Sequence, residues 1–324
     1  MNDKGVYTKG NSFRALAEAH ARKYRKEILS LVEYEKYGHI LVSGDAEKGL
    51  NFLNQDIFEG VKKRRDRGKG VDWSRTSKNL LASQAMCFNL FVPLSKDKRF
   101  TVELLNSLLH LNAQEIIGEV QIEYTPPKEI LNDQSGPAGV DCDTLIEYRT
   151  ADNLTGIVVI ETKYVEEEFS LCGFRKYNQK DKCPIDTAPD ALGENCRYHS
   201  KKHYKYWNLT LESEIFDLDK ITGVKCPFSG PLWQLWVNTV LAYGIAKAGG
   251  YDQFHFVVIA PKANIALSEK EVIWEQYRQL LKKDVFRPIS LEVVINTMLE
   301  ISPNVDWVKR FEQKYNLRKT IQEL

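Results

Sequence analysis

Glu161 and Lys163 lie two positions apart, directly after the apolar run Val158-Val159-Ile160. In an extended chain, side chains at i and i+2 share a face. A carboxylate and an ammonium would therefore stand together at the end of a strand anchored in the core. Such charges are costly to bury unless they are paired or bound to a cation. A second candidate strand, VDCDTLIEYR at 140–149, places Asp141 and Asp143 on one face. The intervening TADNLT is polar and of hairpin length. If the two strands pair as a hairpin, the start of one lies beside the end of the other, and Asp143 meets Glu161. Two carboxylates that close repel, and one keeps its proton unless a cation sits between them. Oxygen-only ligands favour a hard ion, Mg²⁺ with Mn²⁺ as a substitute. Such an ion would polarise a phosphate and activate a water. Lys163 would orient or deprotonate that water and stabilise developing negative charge. The backbone carbonyl of Thr162 is a candidate further ligand. The chemistry assembled this way is hydrolysis of a phosphodiester bond.

Charges so placed need a sheet and covering helices. GEVQIEY at 118–124 alternates, with Val120 and Ile122 on one face and Glu119, Gln121 and Glu123 on the other. FHFVVIAP at 254–261 reads as a buried strand. PLWQLWVNTVLAYGIAKAGG opens on Pro231 at a first helical position, ends in Gly249-Gly250 and is apolar nearly all round, which predicts a buried helix. That helix carries Gln234 and Asn238 one turn apart, and buried amides must find partners. TSKNLLASQAMCFNLFVPL at 76–94 predicts a helix with a broad apolar face, stopped by Pro93, and a second helix follows over Val102 to Leu111. Upstream, an amphipathic helix is expected over 12–36 and another over Leu50 to Val61. The tail from Ser268 reads as mostly helical, with Trp274, Tyr277, Leu280 and Leu281 on one face. The middle of the chain thus runs helix, strand, strand, strand, helix, strand, an α/β sheet with a helix on each side. The implied division is a helical extension at 1–75, a core at 76–262 with an insertion at about 165–229, and a helical extension at 263–324 packed on the core.

The Glu-x-Lys spelling alone says little. Glu312-Gln313-Lys314 repeats it within a C-terminal helix, where a solvated face is expected. What distinguishes 161–163 is its strand context and Asp143 across the turn. The stretch from Asp143 through Tyr164 resembles the PD-(D/E)XK nuclease superfamily. The resemblance implies an αβββαβ core, a catalytic Asp143, a metal-binding Glu161 and a catalytic Lys163. The proline of that motif is missing, since Val140, Asp141 and Cys142 precede Asp143; whether Asp141 or Asp143 is the ligand stays open. SQAMCFNLFVPL, IEYTPP, DTLIEY, IVVIETKY and QLWVNTVLAY, in that order, resemble a bacterial group of restriction-endonuclease-like proteins in this superfamily. That likeness reaches from about Phe13 to Pro261. It implies a third carboxylate in Glu123, for which the alternative is an exposed strand residue. It also implies a site-supporting Gln234, whose alternative is a packing amide. Ser83 and Gln84 match the group's helix without an evident role.

Two basic stretches are candidate nucleic-acid contacts. KKRRDRGK at 62–69 offers Lys62, Lys63, Arg64 and Arg65, on a loop or helix end. RYHSKKHYKYW at 197–207 interleaves Arg197, Lys201, Lys202 and Lys205 with Tyr198, Tyr204, Tyr206 and Trp207, a pattern suited to phosphate contact and base stacking. Cys172, Cys183, Cys196, His199, His203 and Cys226 include one zinc-like spacing, Cys196 to His199, but no CxxC pair. Ordinary thiols and surface histidines are therefore expected over a structural Zn²⁺. A net charge of +1 neither announces nor excludes a nucleic-acid partner. Without an 18-residue apolar run or a signal-peptide pattern, no membrane partner and a cytoplasmic location are expected. The expectation is a Mg²⁺-dependent endonuclease acting on DNA, as a homodimer because duplex cleavage often needs two sites, with restriction or phage defence implied by the resemblance alone. The alternative is a nuclease-fold module that binds nucleic acid or a protein partner without cutting. A complete Asp, Glu and Lys set argues against it.

Overall fold

The computed structural model describes residues 13–68, 70–135, 139–176, 195–268 and 272–316. A single five-stranded sheet holds the centre, in the order β1 (Ala113–Tyr124), β2 (Cys142–Thr150), β3 (Thr155–Thr162), β4 (Gln253–Ala260) and β5 (Phe286–Ser290). The first three strands are antiparallel neighbours, as a hairpin connection requires, and β3, β4 and β5 run parallel. Alternation along β3 sends Val158 and Ile160 to one face and Ile157 and Val159 to the other, so both faces are packed.

One face is covered by the helix Ser83–Lys96, the helix Lys98–Leu109 and two C-terminal helices, Leu291–Ile301 and Asp306–Tyr315. The other is covered by Leu232–Gly249, with Tyr206–Ser213 and Val272–Gln279 beside it. In chain order, with Phe13–Lys23 as α1 and Gln55–Asp66 as α2, these are α3 (Ser83–Lys96), α4 (Lys98–Leu109), α5 (Tyr206–Ser213), α6 (Leu232–Gly249), α7 (Val272–Gln279), α8 (Leu291–Ile301) and α9 (Asp306–Tyr315). The α/β class with a helical layer on each side is as the pattern predicts.

Several boundaries differ, each for a physical reason. The first helix does not reach residue 36. After α1 it widens through Tyr24–Ile28 and stops, because the buried Arg25 guanidinium folds the following chain around itself, donating to the carbonyls of Leu31, Val32, Glu33 and Gly38. The second helix starts at Gln55, where Asn54 caps the Ile57 N–H at 2.9 Å, and runs to Asp66. The basic run therefore sits in a helix end. Pro93 does not stop α3, which continues to Lys96. Asp97 then caps the next helix through the Phe100 N–H at 3.0 Å. β1 begins at Ala113, five residues before the expected 118. The tail is not only helical, since β5 pairs in register with β4 from Phe256↔Phe286 to Ala260↔Ser290. Lys314 is not on a solvated face. It is 4% exposed, and its ammonium donates to the backbone and side-chain oxygens of Asn51.

Candidate active site

Strand register does the assembling. Ile122 pairs with Thr144 and Tyr124 with Cys142, so Glu123 stands opposite Asp143. Thr144 pairs with Ile160, so one step further along Asp143 stands opposite Glu161. Three carboxylates on three neighbouring strands form a row across the sheet, with Asp141 just before β2. Like charges placed opposite one another destabilise a sheet, so the row needs compensation.

Glu161 receives it from the protein. Its Oε1 accepts from Gln234 Nε2 at 2.7 Å and lies 2.8 Å from Lys163 Nζ, while Oε2 accepts from Asn238 Nδ2 at 3.0 Å. Both amides project from α6, one turn apart, onto the face that Glu161 and Lys163 share. Gln234 is itself oriented by the Ser170 N–H, which donates to its Oε1 at 3.0 Å. The Lys163 ammonium stands 5.7 Å from the centre of the Phe169 ring. Burial disfavours its charge, but Glu161 above all, then Asp143 and Glu166, outweigh burial and raise its pKa above lysine's ordinary value. Asp143 is held differently. Its Oδ2 accepts from the backbone N–H and the hydroxyl of Thr162, both at 2.6 Å. Burial, reinforced by the Glu161 charge, pushes the Asp143 carboxyl up to about 8.

Glu123 is the least compensated. It is 5% exposed, so it is no surface strand residue. Its φ of 54° is left-handed, a conformation costing a non-glycine residue on the order of 1 kcal/mol or more. This kink, with a register shift between Ile117 and Gln121 around Gly118, breaks the alternation that predicts Glu123 beside Glu119 and Gln121. Arg64 holds the kink in place. Its Nε donates to the carbonyls of Ile122 at 3.0 Å and Glu123 at 3.2 Å, and a second guanidinium nitrogen also reaches the Glu123 carbonyl. The Oε1 of Glu123 is buried with no hydrogen-bond partner among the described residues. Burial first, then the Asp143 charge, drive its carboxyl well above the carboxylate range. Asp141 is also raised, by burial and by Glu161.

The donor set is all oxygen, its negative charge is under-compensated, and one buried oxygen has no partner. These residues fit a hard divalent cation. Among the described residues, no three Asp, Glu, His or Cys side chains already close around a point where an ion would sit.

A family model described as the PD-(D/E)XK nuclease superfamily matches residues 9–316. The chain belongs to that superfamily. Comparisons with curated proteins and with solved structures give no match.

Around this PD-(D/E)XK centre stand residues that sequence reasoning missed or left without a role. Glu166 follows the end of β3, where alternation gives no signal. Its Oε2 accepts from the Tyr164 N–H at 2.8 Å, and its Oε1 from Ser83 Oγ at 2.8 Å and Arg75 at 3.0 Å. Burial alone would raise this carboxyl, but the Tyr164 N–H, Lys163 and Ser83 together hold it below its usual value. Ser83 thus ties the start of α3 to the segment after Lys163. Gln84 donates to the Gly70 carbonyl at 2.6 Å and accepts from the Asp72 N–H at 3.0 Å and from Thr76.

The two basic stretches divide. Lys62 pairs with Glu59 at 2.5 Å and lies over the Phe58 ring, while Arg65 pairs with Asp66 at 2.9 Å and lies over Trp73. Arg64 is committed to Glu123. Lys63 and Arg67 are exposed and in no salt bridge among the described residues. Both line a groove of about 670 Å³ between α2, α3 and β1 that reaches Glu123 and also carries Asp56, Glu59 and Glu119. In the second stretch the base-stacking expectation is corrected. Tyr204, Tyr206 and Trp207 are 6%, 2% and 0% exposed, packed in the core beneath α6. Lys201 and Lys202 are exposed, Arg197 is half-buried, and Lys205 donates to the Glu129 carbonyl at 2.8 Å. Cys172 is buried, and Cys196 and Cys226 are half-buried; Cys183 lies outside the described residues.

Proposed function

We propose that this chain is a divalent-metal-dependent nuclease that hydrolyses phosphodiester bonds in DNA, acting internally on the strand. The observation that carries the reading is the row Glu123, Asp143, Glu161 with the Lys163 ammonium beside it. Asp143 and Glu161 would hold the ion, with Glu123, Asp141 and the Thr162 carbonyl as further ligands. When bound, Mg²⁺ or Mn²⁺ supplies Lewis acidity toward the phosphate and a more acidic bound water. Lys163 offers a charged donor beside the reacting phosphate, where it stabilises charge that develops on oxygen. Gln234 and Asn238 fix Glu161 so that this ligand is placed before substrate arrives. Lys63 and Arg67 would contact the backbone of an approaching strand. We place it in the cytoplasm as a homodimer, since duplex cleavage often needs two sites, with bacterial defence the role the family resemblance suggests.

The test is plasmid cleavage with Mg²⁺ or Mn²⁺, comparing the wild type with Lys163→Ala and with EDTA. Cleavage by the wild type alone, abolished by EDTA, is expected. Equal cleavage by Lys163→Ala would place the centre elsewhere. Metal binding without cleavage of any plasmid or RNA would favour the module that binds without cutting.

A further inference from the structure

A second cavity, of about 250 Å³, opens at the carboxyl ends of β4 and β5. Its walls include Lys262, Asn264, Trp274, Arg278 and Pro288. It lies on the same side of the sheet as the carboxylate row, because β3 and β4 are parallel and the Lys163 N–H donates to the Ile259 carbonyl at 2.8 Å. Asn264 joins the two places directly. Its Nδ2 donates to the carbonyls of Tyr164 at 3.1 Å and Glu166 at 2.8 Å, on either side of the residue after Lys163's neighbour. A second link runs through rings, from Lys163 over Phe169 and from Phe169 edge-on to Trp274 with centroids 5.4 Å apart.

The chemistry of the cavity is specific. Lys262 and Arg278 are exposed cations with no salt bridge among the described residues, and no carboxylate is among the lining residues. Glu292 Oε2 accepts from the Lys262 N–H at 2.9 Å, and Asp284 is paired to Arg287 and also feels the Arg278 charge. Asn264 is 2% exposed, and its Oδ1 has no hydrogen-bond partner among the described residues. The amide cannot be flipped to relieve this, because both partners of Nδ2 are carbonyl acceptors. Among the described residues, the inner wall thus holds a buried acceptor that lacks a donor, the mouth offers two cations in no salt bridge, and Trp274 and Pro288 supply apolar surface. A ligand that meets all three carries a phosphate, an N–H donor and a flat apolar body. The volume has room for one such unit.

We propose that this cavity takes one nucleotide of the substrate strand, flanking the phosphate that is cut, with its phosphate on Lys262 and Arg278 and its base N–H toward Asn264. The proposal rests on the nuclease reading above, and its test is chosen to fail separately. Binding of a short single-stranded oligonucleotide is measured with Glu161→Gln in EDTA, so that no cutting occurs, with and without the added Lys262→Ala and Arg278→Ala changes. Losing the one phosphate that both cations hold should reduce the slope of log affinity against log salt by about 0.7, with affinity down roughly tenfold at low salt. Lys282→Ala/Lys283→Ala, exposed lysines outside the cavity, should leave the slope unchanged. Free 5′-mononucleotide should compete with the oligonucleotide, and inorganic phosphate should compete more weakly. An unchanged slope in the cavity variant, or phosphate competing as well as nucleotide, overturns the proposal. Wild-type plasmid cleavage with Mg²⁺ is scored on the same preparation, so loss of the pocket and loss of the nuclease reading are told apart.

Discussion

Glu161 and Glu123 stand two strands apart in one row, yet the protein treats them oppositely. Glu161 has every oxygen engaged, by two amides from α6 and by the Lys163 ammonium. Glu123 has a strained backbone clamped by Arg64 and a buried oxygen with no partner. The first is a fully hydrogen-bonded carboxylate whose position does not wait for a cation. On the second, burial and the Asp143 charge outweigh the help of Gln84, so in the metal-free protein a proton neutralises it. One half of the centre fixes geometry, and the other half creates the demand that a cation would satisfy.

The largest expected effect comes from the finished half. Lys163→Ala should cut the cleavage rate by roughly 10²–10³-fold, read as single-turnover rate at saturating metal. Gln234→Ala or Asn238→Ala, which leave every ligand in place, should cost about 10–100-fold in metal affinity or activity. If either amide variant behaves as wild type, Glu161 is not held by its partners in the way the contrast requires. For the unfinished half, Glu123→Gln should raise metal-free stability near neutral pH by on the order of 1 kcal/mol, because the amide is neutral without taking up a proton on folding. The same variant should weaken Mn²⁺ binding, measured by calorimetry. Loss of stability instead would mean that Glu123 is already neutralised by the protein.

The pH dependence sharpens the comparison further. The folded Asp143 carboxyl titrates at about 8 against an ordinary 3.8. A raised folded value means that its stabilising contribution is complete below pH 4 and is lost as pH rises through 8. Lys314, lowered to about 7 by burial, acts in the opposite sense. Its contribution is present above the ordinary 10.5 and is lost as pH falls through 7. Metal-free urea unfolding should therefore show stability draining between pH 5 and 7, where Lys314 does not yet oppose it, a trend that Asp143→Asn flattens. Because a cation binds the deprotonated carboxylates, the rise in Tm given by Mn²⁺ should grow with pH over the same interval. The smallest effect is expected from Lys62→Ala and Arg65→Ala, whose charges are spent on Glu59 and Asp66. Their change in oligonucleotide affinity should be well below that of Lys63→Ala/Arg67→Ala.

The half of the centre nearest the hairpin was legible before any coordinates. A polar turn of set length fixes antiparallel register, and a period of two fixes the shared face of Glu161 and Lys163, so their meeting with Asp143 follows locally. Gln234 was legible as a buried amide in an apolar helix. The Glu123 side was not, because its inward turn depends on a left-handed residue and a bulge, and alternation encodes neither. Arg64 was out of reach for the same kind of reason, since its partner is 59 residues away and only tertiary docking joins them. β5 is five residues with an internal proline, set in a helical tail, and draws its stability from the β4 edge it joins. Tyr204, Tyr206 and Trp207 carry the same alternation whether their rings face a strand of nucleic acid or the underside of α6.

Lys314 and Tyr315 at the end of α9 close contacts over very long loops. The lysine reaches Asn51, 263 positions earlier, and the Tyr315 hydroxyl accepts from Asn89, 226 positions earlier. Loop-closure entropy makes such contacts late to form. α9 therefore acts as a late clasp: α3, which packs on α2, α4 and the first three strands, gains its contacts with α9 only once residue 315 has left the ribosome and found its place.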